Sequence, residues 1–290
     1  MRRLFFTFIT IFFFAACGYA DKHNLSQGNK TIKILALCYH KIGNGNSIFT
    51  IPADKFERNI SILLSKGYHT IGINQLFSYL YEDGHLPEKS LLLTFDDGTI
   101  SNYDYVFPYL VKNHLKGTFF VPTKAIGHPG NLSETNIREM SNNDCCEFGS
   151  HSVSHVDLSA LNEKDLEEEY RSSQKALEQI VGKKIISFAY PFGILTDRDS
   201  PLLKKYGYKL AFTTVHGFND VQDNPFQLKR IVVENSLSSK LFESVVEGDP
   251  ETYIKGYNRL CLEAIIRGHN IVADLCKEEL LKYKPAISCI

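Results

Sequence analysis

Tryptophan is absent from the 290 residues, so any aromatic platform for a ligand has to come from the 15 tyrosines and 20 phenylalanines. Neither sign of charge is in excess. The formal net charge is −1, without the basic footprint that a nucleic-acid binder carries. The apolar stretch at residues 4–14 is too short to cross a bilayer as a stable helix. No internal repeat and no low-complexity tract is visible, which sets repeat architectures aside. What remains is 43% hydrophobic and 22% charged, the composition of an ordinary globular chain with one large domain or two small ones.

The N-terminus reads as an export signal over residues 1–20. Arg2 and Arg3 form a positive n-region ahead of the apolar residues 4–14. Two exits are open. Phe14, Ala15, Ala16 and Cys17 are similar to a bacterial lipobox, in which Cys17 would be lipidated and tether the chain to a membrane. Gly18 and Ala20 also offer small residues for ordinary cleavage, and an uncleaved anchor is the remaining alternative. The mature body is expected in the periplasm or cell envelope, with 30 basic against 33 acidic residues, a net of −3. Residues 21–30 are polar and read as a tether. Cysteines stand at 17, 38, 145, 146, 261, 276 and 289. An exported chain permits disulfides, yet buried thiols explain these positions equally well. The adjacent pair Cys145 and Cys146 has the wrong spacing for a zinc knuckle.

Beyond the tether, strand-like and helix-like segments alternate. Strands are expected at residues 32–39, 68–71, 91–95, 117–121, 147–150, 185–190, 210–214 and 228–233. Helices are expected at 52–66, 74–81, 103–115, 134–140, 162–180 and 201–206. In the third of these helices, Pro108 is a kink or an early start. Such alternation predicts an α/β fold with a largely parallel sheet, open or closed into a barrel, whose sites gather at the C-terminal strand ends. Residues 236–290 change character and read as a helical C-terminal extension, with helices at 241–246 and 253–283.

The chemistry-bearing residues fall at those strand ends. Asp96 and Asp97 follow the apolar residues 91–93, and strand alternation predicts that they serve different surroundings. One carboxylate would hold a metal and the other manage a proton; the plainer explanation is an Asp-Gly turn. His151 and His155, four residues apart, can converge on one ion from a helix or from a tight turn, although such a pair alone is commonly a surface or capping feature. Asp97 as a third ligand leaves coordination positions open, the catalytic rather than the structural pattern. Zinc is the default ion, with cobalt, nickel, iron or manganese as alternatives. His69, His85, His114, His128 and His216 are expected in loops or on the surface, and the acidic run at 165–169 on the solvated face of a helix.

The motifs Thr94-Phe-Asp-Asp-Gly98, His151-Ser-Val-Ser-His155 and Tyr190-Pro-Phe-Gly193 together resemble the NodB-like polysaccharide deacetylases (carbohydrate esterase family 4) over residues 31–235. Gly117-Thr-Phe-Phe-Val121, Gly207-Tyr208 and Ala211-Phe-Thr213 agree with the resemblance. It implies a distorted (β/α) barrel and metal-dependent hydrolysis of N-acetyl groups on an amino-sugar polymer. By motif, Asp97, His151 and His155 would bind the metal, Asp96 would be the general base, and the N–H of Phe192 would stabilise the oxyanion. Two departures matter. The Leu-x-His motif that carries the general acid near the C-terminus of many members is missing. Leu37-Cys-Tyr-His40 at the end of the first strand instead resembles a circularly permuted branch, typified by deacetylases of poly-β-1,6-N-acetylglucosamine, and makes His40 the acid. The arginine that orients the base two residues before the proline is also missing, Ala189 standing there. Arg230 is the replacement, unless it is an ordinary surface arginine. Peptidoglycan and chitin-like chains are alternative substrates, and a non-catalytic glycan-binding protein on the same fold is the alternative function.

Overall fold

The computed structural model describes residues 32–248, 271–272 and 274–276. The signal and tether, Cys17, Cys261, Cys289 and most of the helix expected at 253–283 lie outside the described residues.

In chain order the elements are β1 (Lys33–Tyr39), β2 (Lys41–Ile42), β3 (Thr50–Ile51), α1 (Ala53–Ser65), β4 (His69–Thr70), α2 (Ile73–Tyr81), β5 (Lys89–Phe95), α3 (Phe107–Asn113), β6 (Gly117–Val121), α4 (Glu134–Ser141), β7 (Cys146–Ser150), α5 (Glu163–Val181), β8 (Ser187–Ala189), α6 (Asp199–Lys205), β9 (Leu210–Phe212), β10 (Phe218–Asn219), β11 (Ile231–Val232) and α7 (Ser239–Glu247). The main sheet runs β10-β1-β5-β6-β7-β8-β9 and is parallel except for the β1–β10 pair. Leu228 bridges to Phe212 on β9, and β11 pairs with β1 through Leu37 and Ile231. The last segment thus reaches from the final strand back to the first and curls the sheet into a distorted (β/α) barrel, as the resemblance implies.

The period of two along each strand sorts side chains into two layers. Leu35, Leu37 and Tyr39 of β1 and Leu91, Leu93 and Phe95 of β5 face the helices. Ile34, Ala36, Leu92, Phe120, Ala189, Leu210, Phe212 and Leu228 fill the interior of the curl. Burying each large apolar side chain contributes about 1.5–3 kcal/mol, so this double-sided core fixes the register. The same alternation continues to the upper rim. Cys38 and His40 follow Ala36, Thr94 and Asp96 follow Leu92, and Arg230 follows Leu228, so the polar residues occupy the top layer of the interior.

The differences from sequence expectation have local causes. Helix 103–115 divides: residues Asn102–Val106 are a π-helix, with Phe107 N–H bonded to Asn102 O, and α3 follows with Pro108 in its first turn. Pro108 has no N–H for the regular ladder, so the preceding turn widens. Strand 228–233 shortens to β11 plus one bridge. Two small elements carry no apolar run to announce them: the antiparallel β10, and the parallel pair β2–β3 with Lys41 opposite Thr50. α5 is as expected, capped by Asn162, whose side chain accepts from Asp165 N–H, and ended by Gly182 at φ 72°. α7 buries Phe242, Val245 and Val246, and Lys66 at the end of α1 binds Glu247 at 2.5 Å. Cys38, Cys145 and Cys146 are free thiols, and no helix among the described residues is long and apolar enough to cross a membrane.

Candidate active site

Backbone strain marks the site. Among the described residues five non-glycines have positive φ, and four of them, Asp97, Ser152, His155 and Phe192, lie in the three sequence motifs. Such conformations persist only where surrounding contacts enforce them.

Asp96 and Asp97 diverge for a reason other than strand alternation. β5 ends at Phe95; Asp96 continues inward, 2% exposed, while Asp97 adopts φ 70° and turns its carboxylate along the rim. Both still face one centre. Asp97 Oδ1 lies 3.3 Å from His155 Nε2 and 3.7 Å from His151 Nε2, and Asp96 Oδ2 lies 3.9 Å from His151 Nε2. His151 Nδ1 is 2.7 Å from Ala189 O, a bond that puts the proton on Nδ1 and leaves Nε2 as a ligand atom. Burial holds the His151 pKa below its ordinary value, against the opposing pull of Asp96, which favours the neutral imidazole a metal requires. Donor atoms spaced this way fit one divalent ion at about 2.0–2.2 Å from each.

His155 sits on a turn rather than a helix. Ser152 Oγ accepts from His155 N–H at 3.0 Å and Ser150 Oγ from Ser152 N–H at 3.2 Å. Glu169 of α5 grips the same loop, accepting from Val153 N–H at 2.7 Å, Ser154 N–H at 3.0 Å and Ser154 Oγ at 2.6 Å. Expected on a solvated face, Glu169 instead fixes the loop that delivers His155. Its acidic neighbours in the sequence masked that function.

Arg230 is fully buried, which disposes of the surface alternative. Its guanidinium forks onto Asp96, Nη1 to Oδ1 and Nη2 to Oδ2, both at 2.7 Å. Nε donates to Thr213 O at 2.9 Å, Nη1 also to Thr94 Oγ1 at 3.1 Å, and the rings of Phe120 and Phe212 flank it. Burial alone would raise the Asp96 pKa. Arg230, helped by His151, outweighs it and holds the carboxyl well below the usual range. Asp96 is therefore ionised and fixed in plane. Cys38, which sequence reasoning passed over, adds its thiol to Asp96 Oδ2 at 3.4 Å. Its signal was its place two residues before His40, on the same strand face. Cys38, His40 and Asp96 also cluster closely enough for a metal, but Arg230 already engages both oxygens of that carboxylate.

His40 stands beside this group, its ring 4.9 Å from that of Phe49. Phe192 has φ 59° and is 55% exposed, its ring 4.8 Å from that of His155. The following Gly193 has φ 73°, and a Cβ there would lie 2.0 Å from Thr214 Oγ1, so only glycine completes the turn. The site residues expected from sequence thus gather at one rim. His69, His85, His114 and His128 are exposed and His216 half-buried.

Comparison with known proteins places this geometry. Residues 83–211 match the polysaccharide deacetylase family. Bacillus subtilis YxkH, a polysaccharide deacetylase by its name, is 30% identical over 218 residues, covering 75% of this chain and 77% of its own. The poly-β-1,6-N-acetyl-D-glucosamine N-deacetylase of Staphylococcus aureus is 23% identical over 283 residues, covering 85% of this chain and 96% of its own. The Streptococcus pyogenes deacetylase PplD, solved with acetate, superposes with a TM-score of 0.68 at 26% identity, over 75% of this chain and 98% of its own. Likeness of this extent in sequence and in fold makes the chain a member of the polysaccharide deacetylase family, and an enzyme.

Proposed function

We propose that the enzyme removes N-acetyl groups from poly-β-1,6-N-acetylglucosamine, with zinc as its metal. The observation that carries the reading is the Arg230–Asp96 fork beside His40: acid, base and the base's partner meet although both supporting residues depart from the common motif order. The Staphylococcus aureus relative, aligned over nearly its whole length, supports the polymer.

Asp97, His151 and His155 would hold the ion. What an ion supplies there is acidification of a water and polarisation of the amide carbonyl. Asp96, ionised and held by Arg230, accepts the proton of the attacking water. The N–H of Phe192, aimed by the strained turn, donates to the oxyanion as it develops. His40 gives a proton to the departing amine, which cannot leave as an anion. The exposed ring of Phe192 stands against His155, on the solvent side of the ligand group.

Acetate release from poly-β-1,6-N-acetylglucosamine, peptidoglycan and chitin oligomers tests the assignment. Turnover should be fastest on the first, absent after chelation, and restored by zinc. Preference for either other polymer would replace the substrate, and full activity in chelator-stripped protein would remove the metal. A glycan-binding role without catalysis would show binding and no acetate.

A further inference from the structure

We propose that Phe49 is the positioning residue of His40, an inference that rests on the acid role given to His40 above. An imidazole that transfers protons is ordinarily held by a hydrogen bond at its second nitrogen. His151 has such a bond, to Ala189 O. His40 does not: its Nδ1 is buried and has no hydrogen-bond partner among the described residues. What meets the ring is Phe49, with centroids 4.9 Å apart and planes inclined by 38°.

The local backbone explains why Phe49 is there. β2 and β3 pair in parallel with Lys41 opposite Thr50 and Ile42 opposite Ile51. One position earlier, that register sets His40 beside Phe49, and neighbouring positions on parallel strands project to the same side. Lys41 N–H donates to Phe49 O at 3.3 Å, Gly43 N–H to Ile51 O at 2.8 Å, and Phe49 N–H to Ser47 Oγ at 3.2 Å. Asn235 N–H, arriving from beyond β11, donates to Ile48 O at 2.6 Å. Phe49 is therefore an anchored ring on a short, pinned loop, still 37% exposed on its outer side. A ring contact restrains the orientation of His40 without fixing which nitrogen carries the proton. The acid is held in place and remains free to change tautomer.

A leaving-group comparison in the full-length enzyme tests this. Native protein, His40→Ala, Phe49→Ala and Phe49→Tyr are assayed on an acetylated glucosamine oligomer, whose amine needs a proton to leave, and on an aryl acetate, whose phenolate does not. General acid catalysis is worth about 10²–10⁴-fold. Phe49→Ala should thus lose roughly ten- to a hundredfold in kcat on the amide with KM held, and less than about threefold on the ester. Phe49→Tyr, which keeps the ring, should restore the amide rate. Equal losses on both substrates, a loss confined to KM, or no loss would overturn the inference while His40→Ala remained selective for the amide. If His40→Ala itself lost equally on both, the acid role would fall and the inference with it.

Discussion

At the residue scale the Asp96–Arg230 pair decides most. A buried carboxylate is tolerable only with a partner, and a bidentate guanidinium is the best available. Replacing Arg230 by Met leaves the charge uncompensated and should cost about 3–5 kcal/mol, measured by chemical denaturation. Arg230→Lys keeps the charge but not the fork. It should fold and bind metal yet lose activity by at least about tenfold, since a base misaligned by an ångström costs about that much or more. Asp96→Asn should abolish turnover with metal content unchanged, whereas Asp97→Ala should lose both together. Metal analysis beside acetate release separates these, and metal loss in Asp96→Asn would contradict the division of labour between the two carboxylates.

At the element scale, the junction of α5 and α6 shows how helices outside the site hold it. Asp199, at the start of α6, accepts from Tyr170 OH of α5 at 2.7 Å and from Thr196 N–H, and burial raises its pKa. A carboxyl whose folded pKa is raised contributes its full stability below the ordinary value near 3.9 and loses it as pH rises through the folded value. Asp199→Asn, which cannot ionise, should therefore gain on the native protein between about pH 4 and pH 7 whatever constant offset the substitution brings. Denaturation curves at both pH values read the difference, and a pH-independent offset would show that folding does not raise the Asp199 pKa. Glu169 on the same α5 belongs to this scale. From sequence it looks like any acid on an amphipathic helix, because its loop partners, Val153 and Ser154, are identified only once the loop has packed.

At the scale of the whole molecule, the curl closes at a weak seam. β1 and β5 pair over seven positions, from Lys33–Lys89 to Tyr39–Phe95. The closing segment relies on the Phe212–Leu228 bridge and on Leu37–Ile231 and Cys38–Val232. Local stability follows such differences in contact. The amides of Thr213, Leu228 and Val233, bonded to Leu228 O, Ala211 O and Cys38 O, should exchange faster than those of the β1–β5 ladder. Uniform protection across both would show that the seam opens only with global unfolding. Arg230 lies in this seam, so its bonds to Asp96 tie the closure of the fold to the readiness of the base.

The sequence alone determined what depends on near neighbours. Strand alternation set the layers, Asn162 and Gly182 set the ends of α5, and the Asp-Asp, His-x-x-x-His and Pro-Phe-Gly motifs fell at strand ends because those residue types suit turns and ligands there. Asp97, His151 and His155 were legible as a group for another reason: a largely parallel sheet gathers its strand ends at one rim, and the motifs stand at those ends. Only the tertiary structure decided the long contacts. It put Arg230 on Asp96 across 134 residues, Glu169 on the loop of His155, and Phe49 on His40. Those pairings depend on how far the sheet curls and where its last segment meets the first strand, which local propensity does not encode.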